Sequence, residues 1–291
     1  MVYSGRKHTA AACYGAPMLT LTGAVRVVHP APTAAVVLLS LALGAILASQ
    51  AGIPPFGPRT LLTTLAVLGS QILTGAVNDW ADRARDALAQ AEKPIPAGQL
   101  TPNAALGVAA LGTLLQVMAS VPLGVVPLGL GAAASASAIA YSLWLSGTRL
   151  SVLPYLVSFG ILPIWIAAGV GVPMERVAAA PLLVAPFAAA AHLANALRDF
   201  DADEAMGRRN LAQALGHGRA LATAWILAMG VGVGVGGVLL AGGRIGPVAG
   251  VLGVVGLAAV AQGAAGAHRL WPGMLVAAVC WTAAWGLATA G

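Results

Sequence analysis

The sequence predicts an all-α, polytopic membrane helix bundle, with about nine transmembrane helices around a central cavity. Three observations lead there. Of 291 residues, 59% are hydrophobic and only 8% are charged, whereas soluble domains are roughly a quarter charged. The chain carries 37 glycines and many alanines, which fits membrane helices that pack through small side chains. Aromatic residues make up 5%, too few for the girdles of a transmembrane β-barrel.

A spanning helix needs about 20 mostly apolar residues. Along the chain, residues 32–50, 60–78, 102–119, 124–144, 151–170, 177–197, 219–240, 247–265 and 272–290 qualify. Glycine and proline inside them are acceptable in a membrane bundle. The least marked borders are the break near Pro122 and the one between the fourth and fifth stretches. Residues 1–25 read as a cytoplasmic N-terminal tail and 26–291 as one transmembrane domain.

The net charge of +6 is a topology signal rather than a mark of nucleic-acid binding, since no basic run with interleaved aromatics exists. With nine spans, Arg6, Lys7, Arg26, Arg83, Arg85, Lys93, Arg149, Arg198, Arg208, Arg209, Arg219 and Arg269 fall on the N-terminal side. Only Arg59, Arg176 and Arg244 fall opposite. This asymmetry places the N-terminus in the cytoplasm, and the membrane expected is the plasma membrane. Cys13 and Cys280 show no metal-ligand spacing.

Acidic residues are the rarest feature and the most concentrated. Asp79, Asp82, Asp86 and Glu92 lie in one place, and Asp199, Asp201, Asp203 and Glu204 in another; Glu175 stands alone. The first group follows the second span and the second group follows the sixth. Both therefore emerge on the cytoplasmic face, where they could face each other across one cavity. Asp79, Asp82 and Asp86 are spaced by three and four, so a helix puts them on one face, with Asn78 at its edge. Asn195, Asp199 and Asp203 repeat at intervals of four, again one face, whereas Asp201 points elsewhere.

Stacked like charges repel, and at a membrane boundary they need a counter-ion. Mg²⁺ suits them, because it takes oxygen ligands and binds through carboxylates plus substrate phosphates. Zinc does not, because no His or Cys accompanies the acids; His192, three residues before Asn195, reads as a packing residue. The bland alternative, solvated loop charges, fits poorly with so few acids gathered on one side. Arg83, Lys93, Arg198, Arg208 and Arg209 flank the clusters. Metal with Arg and Lys around one cavity suits a diphosphate, and a phosphate head beside an apolar bundle suggests an isoprenoid diphosphate. Lys93, Arg198 and Arg208 are the strongest candidates for phosphate contact, ahead of Arg85 and Arg219.

These residues resemble the UbiA-type intramembrane prenyltransferases. Asn78 to Asp86 is similar to the family's first signature, NDxxDxxxD, and Lys93-Pro94-Ile95-Pro96-Ala97-Gly98 to the turn that follows it. Asn195 to Asp203 is similar to the second, NxxxDxxxD, and Gly207 to Leu211 resembles a further run, G(K/R)xTL, with Asn210 where Thr is usual. The resemblance implies Mg²⁺-dependent ionisation of an isoprenyl diphosphate and attack by a small acceptor, aromatic or quinone-precursor, in residues 26–291 as a prenyltransferase domain. It implies that Asp79, Asp82, Asp199 and Asp203 hold the metals, supported by Asn78, Asp86 and Asn195. Lys93, Arg198 and Arg208 would hold the diphosphate, with Arg83, Arg209 and Tyr141 added as further contacts. Many members carry a Lys four or five residues after a Tyr; here Leu145 and Ser146 follow Tyr141, so packing and substrate contact stay equally open for it. An intramembrane terpene cyclase on the same scaffold is the alternative. A cation or lipid transporter is the non-enzyme rival, but its midplane charges are not evident.

Overall fold

The computed structural model describes residues 20–242 and 245–289. Arg6, Lys7 and Arg244, used above for topology, and Cys13 lie outside the described residues, as does most of the expected tail. In order the helices are α1 (Leu21–Arg26), α2 (Pro30–Gln50), α3 (Pro58–Ala89), α4 (Pro102–Ser120), α5 (Val125–Ala140) and α6 (Leu153–Val170). They continue with α7 (Pro181–Arg198), α8 (Phe200–Ala205), α9 (Leu211–Leu215), α10 (His217–Ala241), α11 (Pro247–Ala261) and α12 (Ala267–Thr289). No strand occurs among the described residues.

The ends of these helices follow from local chemistry. Pro30, Pro58, Pro102, Pro181 and Pro247 sit at the start of their helices, where a missing N–H costs nothing. The Thr101 hydroxyl accepts from Ala104 N at 3.1 Å and caps α4. The break expected near Pro122 is a short 3₁₀ turn, Val121–Leu123. Gly124 closes it with a φ of +112°, a conformation that glycine adopts readily.

Among the described residues, eight helices are long and apolar enough to cross a membrane. The stretch expected to be the ninth, α7, falls outside that set. Its last turns carry His192, Asn195 and Arg198, which dilute its apolar character. It packs nonetheless between α6, α10 and α12. Consecutive long helices pack side by side, and α12 returns against α2 to close the ring.

Small residues set the closest approaches, as expected where lipid and core are equally apolar. A Cβ on Gly69 would collide with the backbone N of Gln116 on α4, and one on Gly112 with that of Leu73 on α3. Ser70, Ser135 and Gln116 then join α3, α5 and α4 in a buried relay, with Oγ–Oγ at 2.8 Å and Oγ to Oε1 at 2.9 Å. Each such membrane hydrogen bond is worth on the order of 0.6 kcal/mol. The relay therefore sets register more than stability.

Two departures from the sequence reading bear on function. The second span was expected to end at residue 78, but α3 runs on to Ala89, 32 residues in all. The entire Asn78–Asp86 motif is therefore helical. The second motif was expected to lie on one helical face. Instead α7 stops at Arg198, Asp199 takes φ −103° and ψ 13°, and α8 starts at Phe200. The link from Asp203 N to Asp199 O survives at 2.8 Å, so the spacing of four is kept across a bend.

Candidate active site

The continuation of α3 carries the first cluster into the end of the bundle. Asp79 and Asp86 are buried, at 2% and 0% exposure. A buried carboxylate without a partner is costly, and the turn after α3 provides one. Lys93 Nζ donates to Asp86 Oδ2 at 2.8 Å and to Asp79 Oδ1 at 3.1 Å. The backbone of that turn is closed by Gln99 N and Leu100 N donating to Pro94 O at 2.9 and 3.1 Å, which fixes where Lys93 stands. Burial pulls the Lys93 pKa down, but the Asp79 and Asp86 carboxylates outweigh it, so it sits above the ordinary lysine value. Lys93 thus stays charged at any physiological pH.

Arg85 joins the two clusters. It donates from Nη2 to Asp82 Oδ2 at 2.9 Å and to Asp86 Oδ1 at 3.1 Å, while its Nη1 lies 3.9 Å from Asp203 Oδ1. Arg208 makes the same bridge from the other side. Its Nη1 is 3.8 Å from Asp82 Oδ1 and its Nε 3.8 Å from Asp203 Oδ1. The Ser146 hydroxyl accepts from Arg208 Nη2 at 2.7 Å. Two sequence-distant acidic motifs therefore share two guanidinium groups.

Asp203 is held from behind. Asn210 Nδ2 donates to Asp203 Oδ2 at 2.9 Å, and Asn210 Oδ1 accepts from Gln213 N at 3.2 Å to cap α9. One amide thus serves as cap and clamp. Burial raises the Asp203 pKa, and although Arg208 and Arg85 oppose this, the net position is above the ordinary aspartate value. Asn78 Nδ2 reaches Asp82 Oδ2 at 3.4 Å.

Not every candidate is brought in. Arg83 is exposed and folds back, its Nη1 donating to Trp80 O at 2.6 Å and its guanidinium lying 4.7 Å above the Trp80 ring. Arg198 and Asn195 are exposed and Asp199 is partly exposed. Arg209 is exposed too, with its backbone N donating to Gly147 O at 3.3 Å. Tyr141 opens a π-helical turn, Tyr141–Leu145. Its ring meets Tyr155 edge-on at 5.2 Å and His192 edge-on at 5.7 Å. His192 is buried and bonds Ser151 Oγ through Nε2 at 2.9 Å. The packing expected for it is what the structure has.

Sequence reasoning passed over His29 altogether. Its Nε2 lies 3.0 Å from Asp79 Oδ1, a close contact without hydrogen-bond alignment. Nothing in the sequence joins residue 29 to residue 79. Arg85 was ranked low, although its place three residues after Asp82 was a usable signal. Asn210 also had a signal, since Asn210-x-x-Gln213 is a capping pattern.

Among the described residues no three His, Cys, Asp or Glu side chains converge as a ready metal cage. Lys93, Arg85 and Arg208 stand between the carboxylates instead. The donor set nevertheless fits Mg²⁺, being carboxylates and amides throughout. Asp79 Oδ2, moreover, is buried with no hydrogen-bond partner, an oxygen left available for a ligand.

The fold and this site define an integral membrane helix bundle with a carboxylate-rich, cation-bridged end. Residues 36–269 match the model of the UbiA prenyltransferase family, and the chain belongs to that family. Solved structures share the fold. A UbiA homolog from Aeropyrum pernix K1 in its apo form has a TM-score of 0.70 at 20% identity, covering 86% of this chain and 96% of its own. A UbiA homolog from Archaeoglobus fulgidus bound to GPP and Mg²⁺ has a TM-score of 0.64 at 15% identity, covering 91% and 99%. A digeranylgeranylglyceryl phosphate synthase has a TM-score of 0.69 at 14% identity, covering 92% and 98%. No curated protein matches the chain in sequence.

Proposed function

We propose that this chain transfers an isoprenyl group from its diphosphate to a small aromatic or quinone-precursor acceptor, inside the membrane. One observation carries the reading: Asp82 and Asp86 of the first motif and Asp203 of the second meet on Arg85 and Arg208. That meeting point lies at the end of a hydrocarbon bundle. The GPP and Mg²⁺ bound by the Archaeoglobus fulgidus homolog support the same chemistry. The basic residues around it favour the cytoplasmic face of the cell membrane, with residues 26–291 as the catalytic domain.

In this reading Asp79, Asp82, Asp199 and Asp203 hold the metal, supported by Asn78, Asp86 and Asn195. Mg²⁺ held by them would supply positive charge to offset the diphosphate as it leaves. Lys93, Arg85 and Arg208 exchange carboxylate partners for diphosphate oxygens and stabilise the charge that develops on them. Arg198 and Arg209, exposed in the present arrangement, complete the cradle by turning inward; Arg83 stays outside it. The allylic C–O bond breaks and its electron pair leaves with the diphosphate. The acceptor's electron pair then forms the new bond to carbon, and the acceptor gives up a proton. Exclusion of water by the bundle protects the cation until then. The ring of Tyr141 offers it π density; Tyr155 is already stacked on His192 at 4.5 Å.

Incubation of the purified chain with Mg²⁺ and farnesyl or geranylgeranyl diphosphate, with and without a panel of aromatic acceptors, tests this. Mass spectrometry should show prenylated acceptor only when both substrates are present. Cyclic hydrocarbon with free diphosphate in the absence of acceptor would overturn acceptor transfer in favour of a cyclase.

A further inference from the structure

The segment just before α2 is docked, not trailing. The Thr20 hydroxyl donates to Gln99 O at 3.0 Å. Arg26 donates from Nη1 to Gln99 Oε1 at 3.1 Å and from Nη2 to Glu92 O at 2.8 Å. A Cβ on Gly23 would come within 2.7 Å of Gln99 O. Val27 is fully buried beside Leu73, Ala76 and Leu100. A Cβ on Gly75 would come within 3.1 Å of Val28 Cα. Residues 20–28 thus form a strap across the turn that carries Lys93.

The strap ends in an unusual conformation. His29 has φ 52° and ψ 71°, the only left-handed non-glycine residue among those described. Such a backbone costs conformational energy and persists only where the surroundings impose it. Here the surroundings are explicit: Thr33 Oγ1 donates to Val28 O at 2.6 Å, and Thr33 N to His29 O at 3.1 Å. The turn directs the imidazole to Asp79, with Nε2 at 3.0 Å from Oδ1. Lys93 Nζ holds the same Oδ1 at 3.1 Å. Asp79 Oδ2 is left buried and without a hydrogen-bond partner. A cleft of about 260 Å³ runs beside this group, bordered by Arg26, His29, Pro30, Asp79, Lys93 and Pro94.

We propose that His29 is a positioning residue for the metal site: the strap presses its imidazole on Asp79 Oδ1 and so presents Oδ2 to the ion. This rests on the metal-dependent reading above. It makes metal affinity depend on docking of residues 20–28, which carry no ligand themselves. Outer partners of metal-binding carboxylates orient them, and losing one typically weakens binding about 10- to 100-fold.

The test is Mn²⁺ binding to the full chain in detergent, read by electron paramagnetic resonance without substrate. His29→Gly keeps the left-handed backbone without strain while removing the imidazole. It should lower Mn²⁺ affinity about 10- to 100-fold with Tm unchanged or raised. His29→Gln, whose amide can approach the same oxygen, should recover part of the loss. Arg26→Gln, which loosens the strap, should weaken binding by less than His29→Gly. Asp79→Asn is the reference and should bind most weakly. Native affinity in His29→Gly beside a weakened Asp79→Asn would overturn the positioning role alone. Native affinity in Asp79→Asn would overturn the metal reading and the inference with it. Should His29→Gly not fold, His29→Asn, which tolerates the left-handed region, carries the same expectation.

Discussion

The two acidic motifs are built differently. The first lies on an unbroken helix, with Asp79 and Asp86 sealed from solvent and clamped by Lys93, Arg85 and His29. The second straddles a bend at Asp199, with Asn195 and Arg198 exposed and only Asp203 tied down, by Asn210. The contrast is between a half whose carboxylates are already buried and paired and a half whose Asn195 and Arg198 side chains still face outward. A site that must admit a diphosphate and then enclose it needs both properties.

The contrast predicts different costs of mutation. Asp79→Ala and Asp199→Ala should each cut prenyl-diphosphate turnover by more than about 100-fold, the scale of losing an electrostatic contact to the transition state. Thermal melts should separate them: only Asp79→Ala leaves Lys93 short of a buried partner and lowers Tm. Equal Tm losses would erase the distinction between the halves.

Lys93→Met should be the most destabilising single change, by about 3–5 kcal/mol, because it removes the one cation shared by two buried carboxylates. Arg198→Met, on the exposed half, should stay within about 0.5 kcal/mol. Denaturation by a graded detergent series would rank the two.

Next in size is a pH effect at Asp203. Its folded pKa is raised, mainly by burial, so the folded chain holds that proton more tightly than the unfolded one. The charge therefore costs stability above the folded pKa, and the cost is relieved as pH falls through it. Asp203→Asn should raise Tm near neutral pH, and the gain should shrink toward pH values below those of ordinary carboxylates. It should still abolish turnover. A Tm gain that grows on acidification would contradict the assignment.

The smallest expected effect is at Asn210. Asn210→Ala removes the cap of α9, worth about 1 kcal/mol, and frees Asp203. Asn210→Thr, the residue usual in the resembling motif, should restore the cap without the full clamp. Intermediate turnover with native Tm would show cap and clamp to be separable.

Much of this was legible in the sequence, for physical reasons. The spacing of Asp79, Asp82 and Asp86 requires one helical face, and α3 delivers it. The same-side placement of the two motifs follows from counting spans, and Arg85 and Arg208 connect them. The bend at Asp199 was not legible. No Gly or Pro marks it, and the spacing of four from Asn195 to Asp203 mimics a continuous helix. Arg83 and Arg85 show the limit of reading charge without angle. They are two positions apart on α3, and one folds onto Trp80 while the other spans both motifs. Pro30 disfavoured helix at the residue before it, yet only the folded chain reveals that His29 turns toward Asp79.

The central claim is that two separately built halves act as one diphosphate site. A double-mutant cycle on diphosphate release from geranylgeranyl diphosphate, with Asp79→Asn, Asp199→Asn and both together, tests it most directly. Groups that act as a unit are strongly non-additive. The account predicts that each single change nearly abolishes release and that the double variant is little worse than either. Losses that multiply, or a single variant that releases diphosphate at the native rate, would contradict it.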